Sequence, residues 1–244
     1  MNFTNSSSAA DGIVERDFTV DGVPGVLWTP ERADGLPLIL HGHPGGLHKR
    51  FPSLVSRARR LAASGFAVAS VDFPGHGDRA RSEPDKRWVA ELVSRRRAGE
   101  SLVPVIAEFN ASLAERAVPE LHAVVDELIA TPGIDGPIGY LGMTVAAMIG
   151  IPYVASDPRV TAAVFGGAVA SPSVLAAARS ITIPTDYILS WDDPELPRSS
   201  GLEVFDAFGS AEKTLHAHAG DHRHVPRHIS FGGADFFTRH LLGT

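Results

Sequence analysis

The stretch Gly142-Met143-Thr144-Val145-Ala146 carries the strongest structural signal in this 244-residue sequence. It follows one apolar run and opens another, which predicts a buried strand, a tight turn and a helix. Gly142 and Ala146 stand where a G-x-S-x-G turn needs small residues, because strand and helix approach each other closely there. Thr144 occupies the serine position. A β-branched residue at positive φ is costly, so this threonine marks either unusual chemistry or a function that has been lost.

Short apolar runs that are typical of buried strands alternate with helical periodicity on both sides of this turn. The Asp21-Gly22 pair separates two alternating segments and predicts an antiparallel hairpin near the start of the chain. A separate amphipathic helix is predicted over residues 119–130, directly before the turn. The predicted strands cover residues 14–20, 25–29, 36–40, 66–71, 137–141, 160–165, 185–189 and 214–218. This alternation predicts an α/β fold with a mostly parallel central sheet of about eight strands flanked by helices.

The domain organisation predicted from the sequence is simple. Residues 13–244 are expected to form one domain, since the length and the 44% hydrophobic content suit a single large core. Residues 1–12 are rich in serine and asparagine and are predicted to be a disordered tail. The charged stretch of residues 79–116 interrupts the alternation, with helices predicted at residues 88–97 and 103–113. Insertions at the carboxyl ends of parallel strands lie over the ligand crevice, so this stretch is predicted to be a cap. The alternatives are an excursion packed beside the sheet and a dimer contact.

Composition argues against several classes of function. The net charge is −6 and the basic residues are dispersed, so nucleic acid is not expected as a partner. The chain has no cysteine, which excludes disulfides, iron–sulfur clusters and a cysteine nucleophile. No segment approaches the roughly 18 apolar residues of a membrane span, and the N-terminus lacks the features of a secretory signal. We therefore expect a cytoplasmic, soluble protein with no membrane partner; a homodimer is compatible with the sequence.

Four motifs in order resemble those of the α/β-hydrolase superfamily, in particular its dienelactone-hydrolase-like and esterase-like members. Residues 41–46 are similar to the HG-x-P-G oxyanion loop, and residues 72–79 to the D-x-P-G-x-G turn that follows the next strand. The turn at Thr144 is similar to the nucleophile elbow, with threonine for serine. Residues 190–197 are similar to the acid loop, and Gly220-Asp221-His222 to the histidine turn. The resemblance covers about residue 13 to the end and implies an α/β-hydrolase fold.

The resemblance implies a catalytic triad of Thr144, Asp193 and His222, which follow one another in the family's chain order. His222 would take the proton of the Thr144 hydroxyl, and Asp193 would orient the imidazole. The backbone N–H groups of His43 and Val145 would bind the oxyanion of the tetrahedral intermediate. The other residues predicted to line the oxyanion or substrate site are Gly42, Phe73 and Trp191.

Each of these assignments has competitors in the sequence. Asp192 and Glu195 compete with Asp193, which the D-x-x-L-P register favours, and the turn position favours His222 over the other nearby histidines, which are His216, His218, His224 and His228. The eleven histidines invite a metal site, but the H-x-H-x-D-H pattern of metallo-hydrolases is absent after His43. The sequence has no G-x-G-x-x-G after the first strand and no P-loop. No metal and no cofactor is expected.

Threonine at the elbow leaves three functions open. The first is a hydrolase that acts on an ester or thioester of a small molecule through Thr144, Asp193 and His222. The second is a non-hydrolytic enzyme, catalysing elimination, cyclisation or C–C cleavage, with His222 as the base. The third is a small-molecule-binding protein that has lost catalysis, and an engineered replacement of a native serine would give the same sequence. Because acid, histidine and oxyanion loop are all retained, we favour hydrolysis.

Overall fold

A computed structural model of the chain describes residues 1–8, 11–32 and 34–243. The strands in this part of the chain are β1 (Asn2–Ser8), β2 (Ile13–Val20), β3 (Val23–Pro30), β4 (Leu38–His41), β5 (Ala67–Val71), β6 (Ile138–Met143), β7 (Val160–Gly166), β8 (Thr185–Ser190) and β9 (Lys213–His218). The helices are α1 (Pro52–Ala63), α2 (Glu83–Ala98), α3 (Val103–Ile129), α4 (Val145–Ser156), α5 (Pro172–Ser180), α6 (Arg198–Ala207) and α7 (Arg227–Phe237), and α7 continues as a π-helical turn over Thr238–Leu242.

Within the described residues, these nine strands form one sheet in the order β1-β2-β3-β5-β4-β6-β7-β8-β9. β4 is parallel to β5 and β6, and the parallel pairing continues through β7, β8 and β9. β1, β2 and β3 pair antiparallel, and β3 joins β5 in the same sense. The predicted α/β class and the mostly parallel sheet are therefore confirmed, with one strand more than predicted.

The additional strand is β1, which lies where the sequence predicts a disordered tail. Asn2 pairs with Thr19 and Ser8 with Val14, so the segment forms the edge of the sheet. The side chains of residues 2–7 are exposed and mostly polar, so the alternation of apolar residues that reveals a half-buried strand is missing. Backbone pairing with β2 forms the strand instead. Ala9 and Ala10, which belong to the same predicted tail, lie outside the described residues.

The predicted cap also differs in the structure. α3 is one helix that joins the segments predicted separately at residues 103–113 and 119–130, and it runs through Pro119. Pro119 is exposed, so the backbone carbonyl that loses its N–H partner there faces solvent. Phe109 and Leu113 on the first half of α3 are buried in the main core. Residues 103–116 are therefore part of a helix that covers the sheet, and only α2 remains as an excursion.

Two helical layers cover the two faces of the sheet. α3, α4 and α5 pack on one face, and α1 and α7 on the other. Successive residues of β6 alternate between these layers: Tyr140 packs with the first core and Leu141 with the second. Among the described residues, no helix combines the length and hydrophobicity that a membrane span requires. The carboxyl ends of β4 to β9 lie along one edge of this sandwich, and the predicted site residues lie there.

Candidate active site

The turn at Thr144 joins β6 directly to α4. Thr144 has φ 54° and ψ −115°, and with Asp21 it is one of two non-glycine residues at positive φ in the described part of the chain. Its N–H donates to the Gly166 carbonyl over 2.8 Å, and its own carbonyl accepts from the N–H groups of Ala147 and Met148. The strained backbone is thus held by β7 on one side and by the first turn of α4 on the other.

Small residues let the strand and the helix approach as closely as this turn requires. A Cβ atom on Gly142 would lie 2.6 Å from the Ala146 carbonyl oxygen, and one on Gly42 would lie 2.6 Å from the Ala146 Cβ. The Tyr140 hydroxyl donates to the same Ala146 carbonyl over 2.6 Å, which ties the strand to the helix. The G-x-T-x-A pattern therefore has a steric reason in this structure.

Asp193 and His222, which are 29 residues apart, meet at the ends of β8 and β9. Asp193 Oδ2 lies 2.6 Å from His222 Nδ1 and also accepts the His222 backbone N–H over 2.7 Å. Asp193 Oδ1 accepts the backbone N–H groups of Glu195 and Leu196 over 2.9 and 3.0 Å. The carboxylate is therefore fixed by the backbone as well as by the imidazole.

The surroundings of Asp193 keep it ionised. Burial alone would raise the pKa of Asp193, but the N–H groups of Glu195, His222 and Leu196 and the imidazole lower it by more, so the pKa lies below its usual value. Because an ionised carboxylate can only accept, His222 donates from Nδ1 in this contact, and Nε2 is the ring nitrogen that does not face Asp193.

The competing acids and histidines have other partners. Asp192 accepts the Gly220 N–H over 3.3 Å, and Glu195 is held by arginines. The remaining histidines near the site are each paired elsewhere: His216 with Asp186, His218 with Ser190, and His224 with Asp221. His228 is exposed. Among the candidates that the sequence offers, Asp193 and His222 are the acid and the histidine that contact each other.

The elbow and the acid loop meet at Gly167, just beyond β7. A Cβ on Gly167 would lie 3.2 Å from the Thr144 methyl and 3.3 Å from Leu196 Cδ1. Thr144 is half-buried, and its hydroxyl makes no hydrogen bond with any described residue, His222 included. The structure thus brings the acid–histidine pair together and sets the elbow beside it without closing the Thr144–His222 bond. Such bonds often tighten only when substrate binds.

The loop after β4 packs on the first turn of α4. A Cβ on Gly45 would lie 2.6 Å from Val145 Cγ2, so the loop and the elbow are in close contact. The His43 ring is buried: Nε2 accepts the Phe73 N–H over 3.1 Å, and Nδ1 lies 2.9 Å from the Pro44 carbonyl. Burial lowers the pKa of His43 to about 4, so the ring is neutral and braces the loop. Neither the His43 nor the Val145 backbone N–H has a partner among the described residues.

Solved structures similar to this chain share its fold. A cold-adapted esterase from an Arctic intertidal metagenomic library, in a PEG-bound complex, is 29% identical with a TM-score of 0.75, covering 99% of this chain and 100% of that one. An acetyl xylan esterase from Paenibacillus sp. R4 is 15% identical with a TM-score of 0.73, covering 98% and 88%. The protein Est1E from Butyrivibrio proteoclasticus, with ferulic acid bound, is 12% identical with a TM-score of 0.70, covering 93% and 99%. The chain has the α/β-hydrolase fold. No protein-family model and no curated protein sequence matches it.

Two side chains predicted to line the substrate site differ in their placement. Phe73 is 1% exposed and its ring packs 4.6 Å from the His43 ring, so it supports the loop after β4 from within the core instead of lining an open site. A Cβ on Gly42 would lie 3.0 Å from the Phe73 ring, so the phenyl group takes up the space beside this glycine. Trp191 is 43% exposed, with the Arg198 guanidinium 4.4 Å above its ring. Its position after β8 places it at the rim of the site.

One feature of the candidate site was not predicted from the sequence. Glu195, at the acid loop, accepts from Arg96 of α2 over 3.0 Å through each carboxylate oxygen. The same carboxylate accepts from Arg223, which follows His222 in the chain, over 2.7 Å. These ion pairs connect α2 with both loops that hold Asp193 and His222. Among the described residues, no cluster of three or more histidine and acidic side chains is arranged to hold a metal ion.

Proposed function

We propose that this protein is an esterase that hydrolyses an ester or thioester of a small molecule. The observation that carries the proposal is the 2.6 Å hydrogen bond between Asp193 and His222 at the edge of the sheet where Thr144 forms the elbow. The similarity to proteins named as esterases over nearly the whole chain supports it.

Acylation would begin with the Thr144 hydroxyl. Its oxygen attacks the ester carbonyl while His222 Nε2 accepts the hydroxyl proton, and the ionised Asp193 stabilises the imidazolium that forms. The carbonyl oxygen becomes an oxyanion, which accepts hydrogen bonds from the unpartnered backbone N–H groups of Val145 and His43. Each such donor lowers the barrier by about 3 kcal/mol. Collapse of the intermediate expels the alcohol or thiol, which takes its proton from His222.

Deacylation repeats these steps with water. His222 removes a proton from the water as its oxygen attacks the Thr144 ester, and the same N–H groups bind the second oxyanion. Thr144 leaves with the proton that His222 returns, and the carboxylic acid is released. The enzyme is then restored, with one water consumed for each ester cleaved.

The methyl group of Thr144 makes this site slower or more selective than a serine site. The methyl lies close to Gly167, and a β-branched side chain has restricted rotation about its first torsion angle, which fixes the direction of the hydroxyl. A fixed hydroxyl helps only if it points at the substrate carbonyl, since an error of about 1 Å costs roughly a hundredfold in rate. We therefore expect activity that depends strongly on the shape of the acyl group.

The proposal is tested with p-nitrophenyl acetate and butyrate and with a fluorophosphonate probe. The unmodified protein should hydrolyse at least one ester and should carry the probe on Thr144, as located by peptide mass spectrometry. Thr144→Ala should lose the label and at least about 10³-fold in kcat/KM, whereas Thr144→Ser should keep both. Thr161→Ala, which removes a hydroxyl that bonds the Ile138 carbonyl, serves as the matched control and should behave as the unmodified protein.

A second candidate is a non-hydrolytic enzyme in which His222 is the base and Thr144 only orients the substrate. The observation that favours it is the absence of a hydrogen bond from the Thr144 hydroxyl to His222 or to any other described residue. Turnover that survives in Thr144→Ala but not in His222→Ala would replace covalent hydrolysis with this function. Activity and labelling in Thr144→Ser alone would instead indicate a binding protein.

A further inference from the structure

A second arrangement of serine, histidine and aspartate lies at the end of α4 that is remote from Thr144. Ser156 Oγ is 3.0 Å from His122 Nε2, and His122 Nδ1 is 3.3 Å from Asp157 Oδ2. The nitrogen that faces the hydroxyl and the nitrogen that faces the carboxylate are those of a Ser-His-Asp triad. Because α4 begins directly after Thr144 and ends at Ser156, the two sites are roughly 18 Å apart at 1.5 Å per helical residue. The arrangement is therefore separate from the candidate active site.

The Asp157 carboxylate is buried and charged. The Tyr153 hydroxyl donates to one carboxylate oxygen over 3.0 Å, and the Arg159 guanidinium donates to both oxygens over 2.8 Å. Burial alone would raise the pKa of Asp157, but the hydrogen bonds from Arg159 and Tyr153 lower it to about 2. An ionised carboxylate beside Nδ1 favours a proton on that nitrogen of His122, which leaves Nε2 to accept the Ser156 proton.

The surroundings of His122 stabilise its orientation and a positive charge on it. The ring packs edge to face on Tyr153, with 5.2 Å between the two ring centroids. It lies at the C-terminal end of α4, where the helix dipole stabilises cations. The Asp157 carboxylate adds to this effect, so an imidazolium formed by proton transfer from Ser156 would be stabilised from two directions.

The Ser156 hydroxyl is exposed and has two acceptors within reach. It donates to the Tyr153 carbonyl over 2.9 Å, and His122 Nε2 lies at nearly the same distance. Rotation about the Cβ–Oγ bond moves its single proton from the carbonyl to the imidazole. The hydroxyl oxygen is thus both accessible to a reagent and in contact with a base.

We propose that Ser156 is a second nucleophile, which is acylated by activated esters of small carboxylic acids. Its oxygen forms a bond to the ester carbonyl carbon while His122 Nε2 accepts the hydroxyl proton. The bond to the leaving group then breaks, the leaving group departs with the electron pair as an anion, and the imidazolium returns its proton to solvent. At this exposed position the oxyanion is left to water, which stabilises it less than preorganised donors do, so acylation is slow.

Labelling with a fluorophosphonate tests the site, because the serine oxygen displaces fluoride from phosphorus in the same way. Thr144 and Ser156 lie in one tryptic peptide, so trypsin alone does not separate their labels. Cyanogen bromide also cleaves after the two internal methionines, and the combined digestion gives residues 144–148, which contain Thr144, and residues 149–159, which contain Ser156. The unmodified protein should carry label on residues 149–159, and p-nitrophenyl acetate should leave an acetyl group on the same fragment.

Ser180 is a matched control within the same molecule. It is exposed and ends α5 as Ser156 ends α4, and it likewise donates to the carbonyl three residues earlier, that of Ala177, over 2.7 Å. None of the described histidines contacts its hydroxyl. A positioned general base typically contributes 10²–10⁴-fold, so Ser156 should be labelled at least about 10²-fold faster than Ser180. His122→Gln should slow the labelling of Ser156 at least about tenfold and leave that of Ser180 unchanged.

Two results would overturn the proposal. Equal labelling of Ser156 and Ser180 would show that the imidazole does not activate the hydroxyl, and this comparison requires no variant. Labelling of Ser156 that persists in His122→Gln, with circular dichroism as a check on folding, would exclude His122 as the base. The test is independent of the proposed esterase activity: label on residues 149–159 but not on 144–148 would support the second nucleophile and contradict Thr144 as the first.

Discussion

His222 and His43 belong to two loops that reach the same edge of the sheet, but their surroundings differ. His222 contacts an ionised carboxylate over 2.6 Å, and its side chain is 16% exposed. His43 is fully buried, and its two ring nitrogens pair with backbone groups, the Phe73 N–H and the Pro44 carbonyl. The first ring keeps a free nitrogen and a partner that stabilises its charged form. The second has both nitrogens occupied by backbone groups, and neither nitrogen contacts a carboxylate.

This difference shows why one histidine is suited to move protons and the other to support a loop. A general base must hold a proton in the transition state, and that requires a nearby negative charge. Burial without such a charge makes the protonated ring costly, as the pKa of about 4 for His43 reports. The amino acid is the same in both loops, and the carboxylate of Asp193 accounts for the contrast.

The largest effect should separate the two histidines by activity. His222→Ala removes the base and should lower kcat/KM for p-nitrophenyl esters by about 10⁶-fold or to the uncatalysed background. His43→Gln keeps the backbone N–H and should cost less than about tenfold. Steady-state kinetics with circular dichroism as a check on folding makes the comparison. Equal losses in both variants would contradict the division of roles.

The next largest effect tests the Asp193 carboxylate separately from the His222 imidazole. Asp193→Asn keeps the size of the side chain but removes the charge and disturbs the His222 tautomer, so kcat should fall by about 10⁴-fold with little change in KM. Asp192→Asn is the matched control, since Asp192 is the neighbouring acid and its carboxylate accepts the Gly220 N–H instead of contacting His222. A loss in Asp192→Asn as large as that in Asp193→Asn would mean that general disruption of the loop, not the charge on His222, sets the rate.

The limits of sequence-based prediction are clearest in α3 and β1. Pro119 predicts a helix boundary, yet Phe109, Leu113, Ala117, Leu121 and Leu128 continue one buried stripe across it, and this spacing is the signal that the prediction missed. β1 offers no such signal, because its backbone pairs with β2 while its side chains face solvent. A strand that forms through edge pairing cannot be read from side-chain periodicity.

Within the site, the partners that the sequence motifs specify were predictable, and the partners outside those motifs were not. Chain order predicts that Asp193 and His222 meet, because strand ends of a parallel sheet converge at one edge. Glu195 and Arg96 are 99 residues apart, and each lies in a charged segment. Because each has neighbours of like charge, the sequence does not show which acid pairs with which arginine.

The stability of the fold should depend on pH because His43 is buried and neutral. Its folded-state pKa of about 4 lies below the unfolded value of about 6.5, so between these values the unfolded chain binds more protons. The free energy of unfolding should therefore fall as the pH drops from about 6.5 toward 4, by about 1.4 kcal/mol per pH unit for this one group, and should lose this dependence below 4.

Urea unfolding of the parent and of His43→Gln at pH 8 and pH 4.5 measures this contribution. The difference at pH 8 reports the packing lost with the ring, and the change in that difference between the two pH values reports its titration. The variant should lose less stability on acidification than the parent. His41 and His76, whose pKa values burial also lowers, should preserve part of the acid sensitivity in the variant. Parallel pH curves for the two proteins would mean that His43 is protonated alike in both states.

The smallest effect concerns the link from α2 to the acid–histidine pair. Glu195→Gln removes the charge that holds Arg96 and Arg223, and because both arginines are about half exposed, kcat/KM should fall only about fivefold or less. Added salt should lower the activity of the parent toward that of the variant, since screening weakens exposed ion pairs. A merely structural loss would not depend on salt in this way.

Variants of two neighbouring arginines in α2 test the contribution of this helix. Arg96→Gln breaks the contact with Glu195, whereas Arg95→Gln removes a side chain that pairs with Glu91 within α2. If α2 helps to position the two loops, Arg96→Gln should reproduce the loss and the reduced salt dependence of Glu195→Gln, and Arg95→Gln should match the parent. If Arg223→Gln alone reproduces the loss, Glu195 acts within the two loops, and α2 has no part in holding His222 against Asp193.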